Sequence, residues 1–154
     1  MKRYDNVIEQ ACHVEAAETD NSPDNKQRIY SIGHSCHDIN EFIRLVTMRN
    51  VTTIVDVRSS PASKKYKQYN RIALTTECEK HGIKYRHRPQ LGSKATVSYT
   101  LIEQPDGQAA LEQLADEYVA SGRDSATAIM CAEHNNTNCH RRVMFKGYMM
   151  IMGL

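Results

Sequence analysis

The sequence predicts an α/β domain, a mainly parallel sheet of about four strands with helices on both faces. Two patterns and one bound point there. Short strand-like runs, "RIYSI", "TTIVDV", "IKYRH" and "ATAIMCA", alternate with segments whose apolar residues recur at helical spacing. Apolar strands alternating with amphipathic helices are the mark of a sheet covered on both sides. The length of 154 residues, with 40% hydrophobic residues and no tryptophan, suits one globular domain with a sizeable core.

The elements follow in order. Residues 1–27 form a polar N-terminal lead-in or tail ending in "ETDNSPDNK", whose Asn, Asp, Ser and Pro favour a loop, and a short helix is expected ahead of it over 5–17. A single α/β domain, 28–154, begins with the strand "RIYSI". After "GHSCHD", Asp38 is placed to N-cap the helix "INEFIRLVTMRN", with Glu41 at the capping-box position and Ile39, Phe42, Ile43 and Val46 on one face. The β-branched "TTIVDV" is the clearest strand. Beyond the loop "RSSPASKK", the pattern predicts a helix over 70–81 that stops at Gly82. "IKYRH" reads as the third strand, and the long loop "RPQLGSKATVSYT" is of a length more often functional than idle. Pro105 opens a helix with Ala110, Leu111, Leu114, Ala115 and Tyr118 on one side, and Gly122 closes it. "ATAIMCA" is the fourth strand and "CHRRVMFKGYMMI" a final helix.

Several classes are set aside by composition. No run of roughly 18 apolar residues exists, so no membrane span is expected, and the start lacks the apolar core of a secretory signal. A cytoplasmic protein is expected. Five cysteines, Cys12, Cys36, Cys78, Cys131 and Cys139, fit a reduced compartment better than a disulfide framework. A Cys131 to Cys139 disulfide would there be a redox switch.

Charge is unevenly distributed. Between Arg58 and Lys94 ten Lys or Arg face two acids, Glu77 and Glu79, a local balance of +8 in a chain of net +2. Such a field favours an anion, and Tyr66, Tyr69, Tyr85 and His87 within it could stack on bases; the plainer reading is a solvated basic face.

In an open α/β sheet ligands gather beyond the carboxyl ends of the strands. Three polar clusters follow strands directly: "GHSCHD", "RSSPASKK" and "EHNNTNCHRR". In a parallel sheet they meet on one edge, which is the expected site. His34 and Ser35 come from the first cluster, with His34 a hydrogen-bonding residue or a proton carrier. In the second, Arg58, Ser59, Ser63 and Lys64 offer charge and hydroxyls to a phosphate or carboxylate, unless Ser60 or Ser63 merely caps a turn. No Walker phosphate loop is present. Asp56 and Arg58, two apart on a strand, share a face and either orient a bound group or form a structural ion pair.

The third cluster carries the reactive groups. Cys131 and Glu133 alternate and share a face, and Asn138 is placed to cap the final helix so that Cys139, His140 and Arg141 fall in its first turn. Free N–H groups there lower a thiol pKa, which makes Cys139 a candidate thiolate, with Glu133 or His140 for acid–base work and Arg141 for an anion. Alternatively, Cys131 is a small buried hydrophobe, or Glu133 acts on a glycosyl bond with Asp56 as second carboxylate. No metal is expected, because the His and Cys spacing matches no zinc module. The sequence leaves the cofactor unknown.

These motifs also resemble a known family. "YSIGHS", "EFIRLV", "IVDVRSSPASK", "GIKYRHRPQLG" and "MCAEHNNTNCHRR", in that order, are similar to the prokaryotic family called Domain of Unknown Function 488, from about Arg28 to Arg142. The matching positions are Gly33, His34 and Ser35; Asp56, Arg58, Pro61, Ser63 and Lys64; Tyr85, Pro89, Leu91 and Gly92; and Cys131, Glu133, Cys139, His140 and Arg141. The resemblance implies an α/β domain and no particular activity. It also implies a further strand beyond the last helix, whereas this chain ends in "GYMMIMGL", so the sheet is expected to be short of a last C-terminal strand. An unpaired edge of that kind would favour a homo-oligomer.

Two functions remain open on this reading. One is an enzyme acting on a phosphorylated or nucleotide-like small molecule at the carboxyl edge of the sheet. The other is a nucleic-acid-binding module without catalysis, using the basic segment 58–94.

Overall fold

The computed structural model describes residues 15–16, 28–34, 37–92, 105–121 and 125–132. In chain order these form β1 (Glu15–Ala16), β2 (Arg28–Gly33), α1 (Ile39–Met48), β3 (Val51–Asp56), α2 (Arg71–Lys80), β4 (Lys84–His87), α3 (Pro105–Ala120) and β5 (Ala126–Cys131), with 3-10 turns at Lys67–Tyr69 and Pro89–Leu91. The sheet order is β1-β2-β5-β3-β4. The four strands β2, β5, β3 and β4 are parallel, and β1 joins the outer edge of β2 in antiparallel register. The α/β architecture expected from the alternating pattern is therefore present.

Strand position follows side-chain character. All six residues of β5 are buried, as its apolar sequence requires, and it lies between β2 and β3. β4, with the polar sequence Lys84–His87, alternates exposed and half-buried residues at the edge. An edge strand needs only one apolar face.

The helices form where their caps and stripes place them. The Asp38 carboxylate accepts from the Glu41 backbone N–H at 2.9 Å and starts α1, which buries Phe42, Ile43 and Val46. Glu41 turns instead to Arg44, at 2.6 Å, so the capping box closes from one side only. α2 spans the expected region one residue shorter at each end and buries Leu74 and Cys78. Its stop is Gly82, whose φ of 68° lies in the left-handed region that glycine adopts without strain. α3 buries the stripe the sequence marks, Ala110, Leu111, Leu114, Ala115 and Tyr118.

Two cores result. α1 and α2 cover one face of the sheet, where Phe42, Ile43, Val46, Leu74 and Cys78 meet Tyr30, Ile32, Ile54, Ala128 and Met130. α3 covers the other, against Ile29, Val55, Val57, Ile129 and Cys131. The chain winds outward from β2 through β3 to β4 and returns to the middle at β5. Reversing the winding direction under right-handed crossovers moves the third helix to the opposite face.

One expected element is corrected. Within the helix expected over 5–17, Glu15 and Ala16 are extended and pair with Ser31 and Tyr30. The unpaired N–H and C=O groups on the outer edge of β2 supply hydrogen-bond partners that override local propensity. The final helix in "CHRRVMFKGYMMI" and the question of a further C-terminal strand lie outside the described residues. Among the described residues no helix is long and apolar enough to cross a membrane.

The cap on α1 can be tested directly. Asp38→Ala should cost about 0.5–2 kcal/mol in denaturant unfolding, and Asp38→Asn, which keeps an accepting oxygen, should cost much less.

Candidate functional site

β3 and β4 are neighbours, and the helices that follow them, α2 and α3, lie on opposite faces of the sheet. Their carboxyl ends form a topological switch point, where a crevice opens in folds of this kind. Polar side chains from three strands converge there.

The centre is a buried ion pair. Asp56, the last residue of β3, is 0% exposed, and Arg58, two residues on, is 6% exposed. The Arg58 guanidinium donates from Nη2 to Asp56 Oδ2 at 2.6 Å and from Nε to Asp56 Oδ1 at 2.9 Å. Its backbone N–H donates to Asp56 Oδ1 at 3.1 Å. Nη2 also donates to the Tyr69 carbonyl at 2.8 Å, and Nη1 faces His34 Nε2 at 3.4 Å. Burial alone would lower the Arg58 pKa, but its hydrogen bonds and charge pairing with Asp56 hold it above the ordinary arginine value. Of the two roles open to these residues, the structure shows the pairing, with the guanidinium committed inside the fold.

A shell of aromatic and imidazole groups closes around the pair. Tyr85 of β4 donates its hydroxyl to Asp56 Oδ2 at 2.5 Å. Burial and that bond to a carboxylate push the phenol above its usual pKa. His87 Nε2 lies 2.7 Å from the Arg58 carbonyl, which can only accept, so Nε2 carries the proton. Tyr69 is fully buried and its hydroxyl donates to the carbonyls of His37 and Asp38, at 3.0 and 3.2 Å. Its ring stacks on His34 at 4.3 Å and meets Phe42 edge-on at 5.3 Å.

His34 follows β2 and is 1% exposed. Its backbone N–H continues the ladder to the Cys131 carbonyl at 3.1 Å. Burial first, and the Arg58 charge second, hold its pKa down to about 4 against the opposing charge of Asp56. The side chain is a neutral imidazole at pH 7.

The loop after β3 is built differently. Ser63 Oγ accepts from the Tyr66 N–H at 2.9 Å, while the Ser63 N–H donates to Asn70 Oδ1 at 2.6 Å. Ser63 thus closes a turn. Ser59 and Lys64 are exposed. A Cβ on buried Gly92 would lie 2.7 Å from Ser59 Oγ and 2.8 Å from the Val57 carbonyl, so only glycine lets the turn after β4 approach this loop.

Among the expected site residues, His34, Asp56 and Arg58 come together, and Ser59, Ser63 and Lys64 lie on the adjoining loop. Ser35, Glu133, Cys139, His140 and Arg141 lie outside the described residues. Cys131 is buried in the α3-side core, on the face of the sheet opposite Asp56. In the sequence, Tyr69, Tyr85 and His87 could stack on bases or belong to a solvated basic face, whereas all three bond inward. The signal was present for two of them, since Tyr85 and His87 alternate on one face of "KYRH".

Two consequences are measurable. Asp56→Asn leaves a buried guanidinium uncompensated and should cost about 3–5 kcal/mol in denaturant unfolding, more than the charge-balanced Asp56→Asn, Arg58→Met double variant. For His34, the unfolded side chain titrates near 6.5 and the folded one at about 4. Between those values the unfolded state binds more protons, so stability should be lost as pH falls through that window. The stability gap between His34→Asn and the natural protein should narrow across the same pH range.

Comparison with curated proteins and with solved structures gave no match. The model of the family described as "Domain of unknown function DUF488" matches residues 38–146, a span that runs from the cap of α1 through every later element of the sheet. The chain belongs to the DUF488 family.

Proposed function

We propose that the protein is an enzyme acting on a phosphorylated or nucleotide-like small molecule, bound at the carboxyl edge of the sheet over the loop that follows β3. The observation that carries this is where the unpaired positive charge sits. Within the basic segment 58–94, Arg58 pairs with Asp56, Lys80 with Glu77, and Arg86 and Arg88 with Glu117. Lys64, Lys65, Lys67 and Arg71 are exposed and form no ion pair among the described residues. They follow β3 within eight residues of one another, and the Arg71 N–H donates to the Pro61 carbonyl at 2.9 Å, which holds the start of α2 against the loop.

A phosphate needs a local positive field, and this loop supplies one beside a buried cluster of groups suited to orienting a reacting molecule. A nucleic-acid track would in addition want exposed rings for bases. Tyr69 is buried, Tyr85 and His87 bond inward, and Tyr66 is half-buried with Lys65 Nζ 5.0 Å from its ring centroid. That balance favours a compact ligand over a polymer.

Thermal unfolding against adenosine monophosphate, ribose 5-phosphate, inorganic phosphate and a short oligonucleotide tests the reading. A ligand at about 100 times its Kd adds about 2.7 kcal/mol, roughly 5–11 °C for a chain of this size. The expected result is a shift with a small phosphorylated compound that is lost in the Lys64→Ala, Lys65→Ala double variant. A shift with the oligonucleotide alone, falling steeply with salt, would replace the enzyme by the nucleic-acid-binding module.

A further inference from the structure

The Nε2 atoms of the two imidazoles face opposite chemistry, a carbonyl at His87 and a guanidinium at His34, and the difference gives His34 a role. An arginine N–H can only donate, so His34 Nε2, 3.4 Å from Arg58 Nη1, is the accepting nitrogen and the neutral ring carries its proton on Nδ1. Among the described residues that buried Nδ1 has no well-placed hydrogen-bond partner, its own backbone carbonyl being the one acceptor nearby. A buried donor without an acceptor is unfavourable, and native folds leave few of them. The ring is nonetheless held rigidly, by the stack on Tyr69 at 4.3 Å, an edge contact with Tyr66 at 5.9 Å and the continuing ladder bond to Cys131. Among the described residues the fold therefore holds an oriented donor in place without a well-placed acceptor.

We infer that His34 is a substrate-contacting residue whose Nδ1–H donates to an oxygen of the bound molecule, with Arg58 as the positioning residue that fixes the tautomer. This rests on the enzyme reading above and deepens it. The chemistry selects the ligand group. A neutral N–H backed by the Arg58 guanidinium suits a carbonyl, phosphoryl or carboxylate oxygen and rejects a cation or a second donor. It also removes a role. With Nε2 facing Arg58 and Nδ1 already protonated, the ring has no free lone pair, so His34 acts as a hydrogen-bond donor to developing negative charge and not as a proton shuttle.

The experiment is imidazole nitrogen NMR on the full chain labelled with ¹⁵N-histidine at pH 7, alone and with adenosine monophosphate, ribose 5-phosphate and inorganic phosphate. Alone, His34 should be neutral with its proton on Nδ1; a proton on Nε2, or an imidazolium, overturns the inference whatever the ligands do. In the charge-balanced Asp56→Asn, Arg58→Met double variant the proton should move to Nε2, and a proton that stays on Nδ1 removes Arg58 as the positioning residue. With a probe that stabilises the protein, the Nδ1 resonance should shift.

Two replacements separate the nitrogens, because the asparagine amide can present a donor near Nδ1 and the glutamine amide near Nε2. For that probe, His34→Asn should keep Kd within about 10-fold, and His34→Gln should weaken it roughly 10- to 100-fold. A probe that binds while His34 stays unshifted overturns the inference and leaves the enzyme reading standing. If none of the three probes binds, the enzyme reading fails and the inference fails with it.

Discussion

The carboxyl edge of this sheet depends on the Asp56–Arg58 ion pair. Two charges that leave water together are tolerated only if their remaining donors and lone pairs are satisfied. Meeting that demand draws in the rest of the edge. Tyr85 supplies a hydroxyl from β4, the Tyr69 carbonyl takes the outer guanidinium nitrogen, and His34 faces the inner one. Each partner sits on a different segment, so one pair of charges fixes the ends of β2, β3 and β4 and the turn before α2 relative to one another. Val57, between the two charged residues, points to the opposite face and anchors the same strand end in the α3-side core.

The pair also reshapes the electrostatics of the surface. The sequence concentrates positive charge between residues 58 and 94, but the fold spends much of it on Asp56, Glu77 and Glu117. Arg86 and Arg88 reach the same α3 carboxylate, which ties the edge strand to the helix on that face. Among the described residues, the unpaired charges that lie close together are Lys64, Lys65, Lys67 and Arg71, on the segment from the loop after β3 to the start of α2. Neutralisation in one region and exposure in another turns a diffuse basic segment into a localised feature.

Much of the fold was legible because it rests on short-range rules. Asp38 three residues before Glu41, the stripe of α3 and the glycine after α2 each act within a few residues of themselves, so period and cap suffice to read them. The two-residue strand β1 was not legible. Glu15 and Ala16 have no strand pattern, and only the open edge of β2 gives them a reason to extend. In the site, the spacing of Asp56 and Arg58 allowed either an anion clamp or an ion pair. The guanidinium's partners show the ion pair, and Tyr69, one of those partners, lies eleven residues away. Ser63 was ambiguous in the same way until Tyr66 and Asn70 came into contact with it.

The sequence by itself determined the class of fold, the identity of most elements and the edge where polar residues gather, because hydrophobic period and strand-to-loop order are properties of a linear string. Tertiary structure decided strand order, the inward turn of Tyr69, Tyr85 and His87, and the approach of His34 to Arg58. Those depend on which groups come within hydrogen-bond distance across tens of residues. No local pattern holds that information, since β5, the last strand in the chain, fills the gap between the first two parallel strands and brings the loops after them to a common edge.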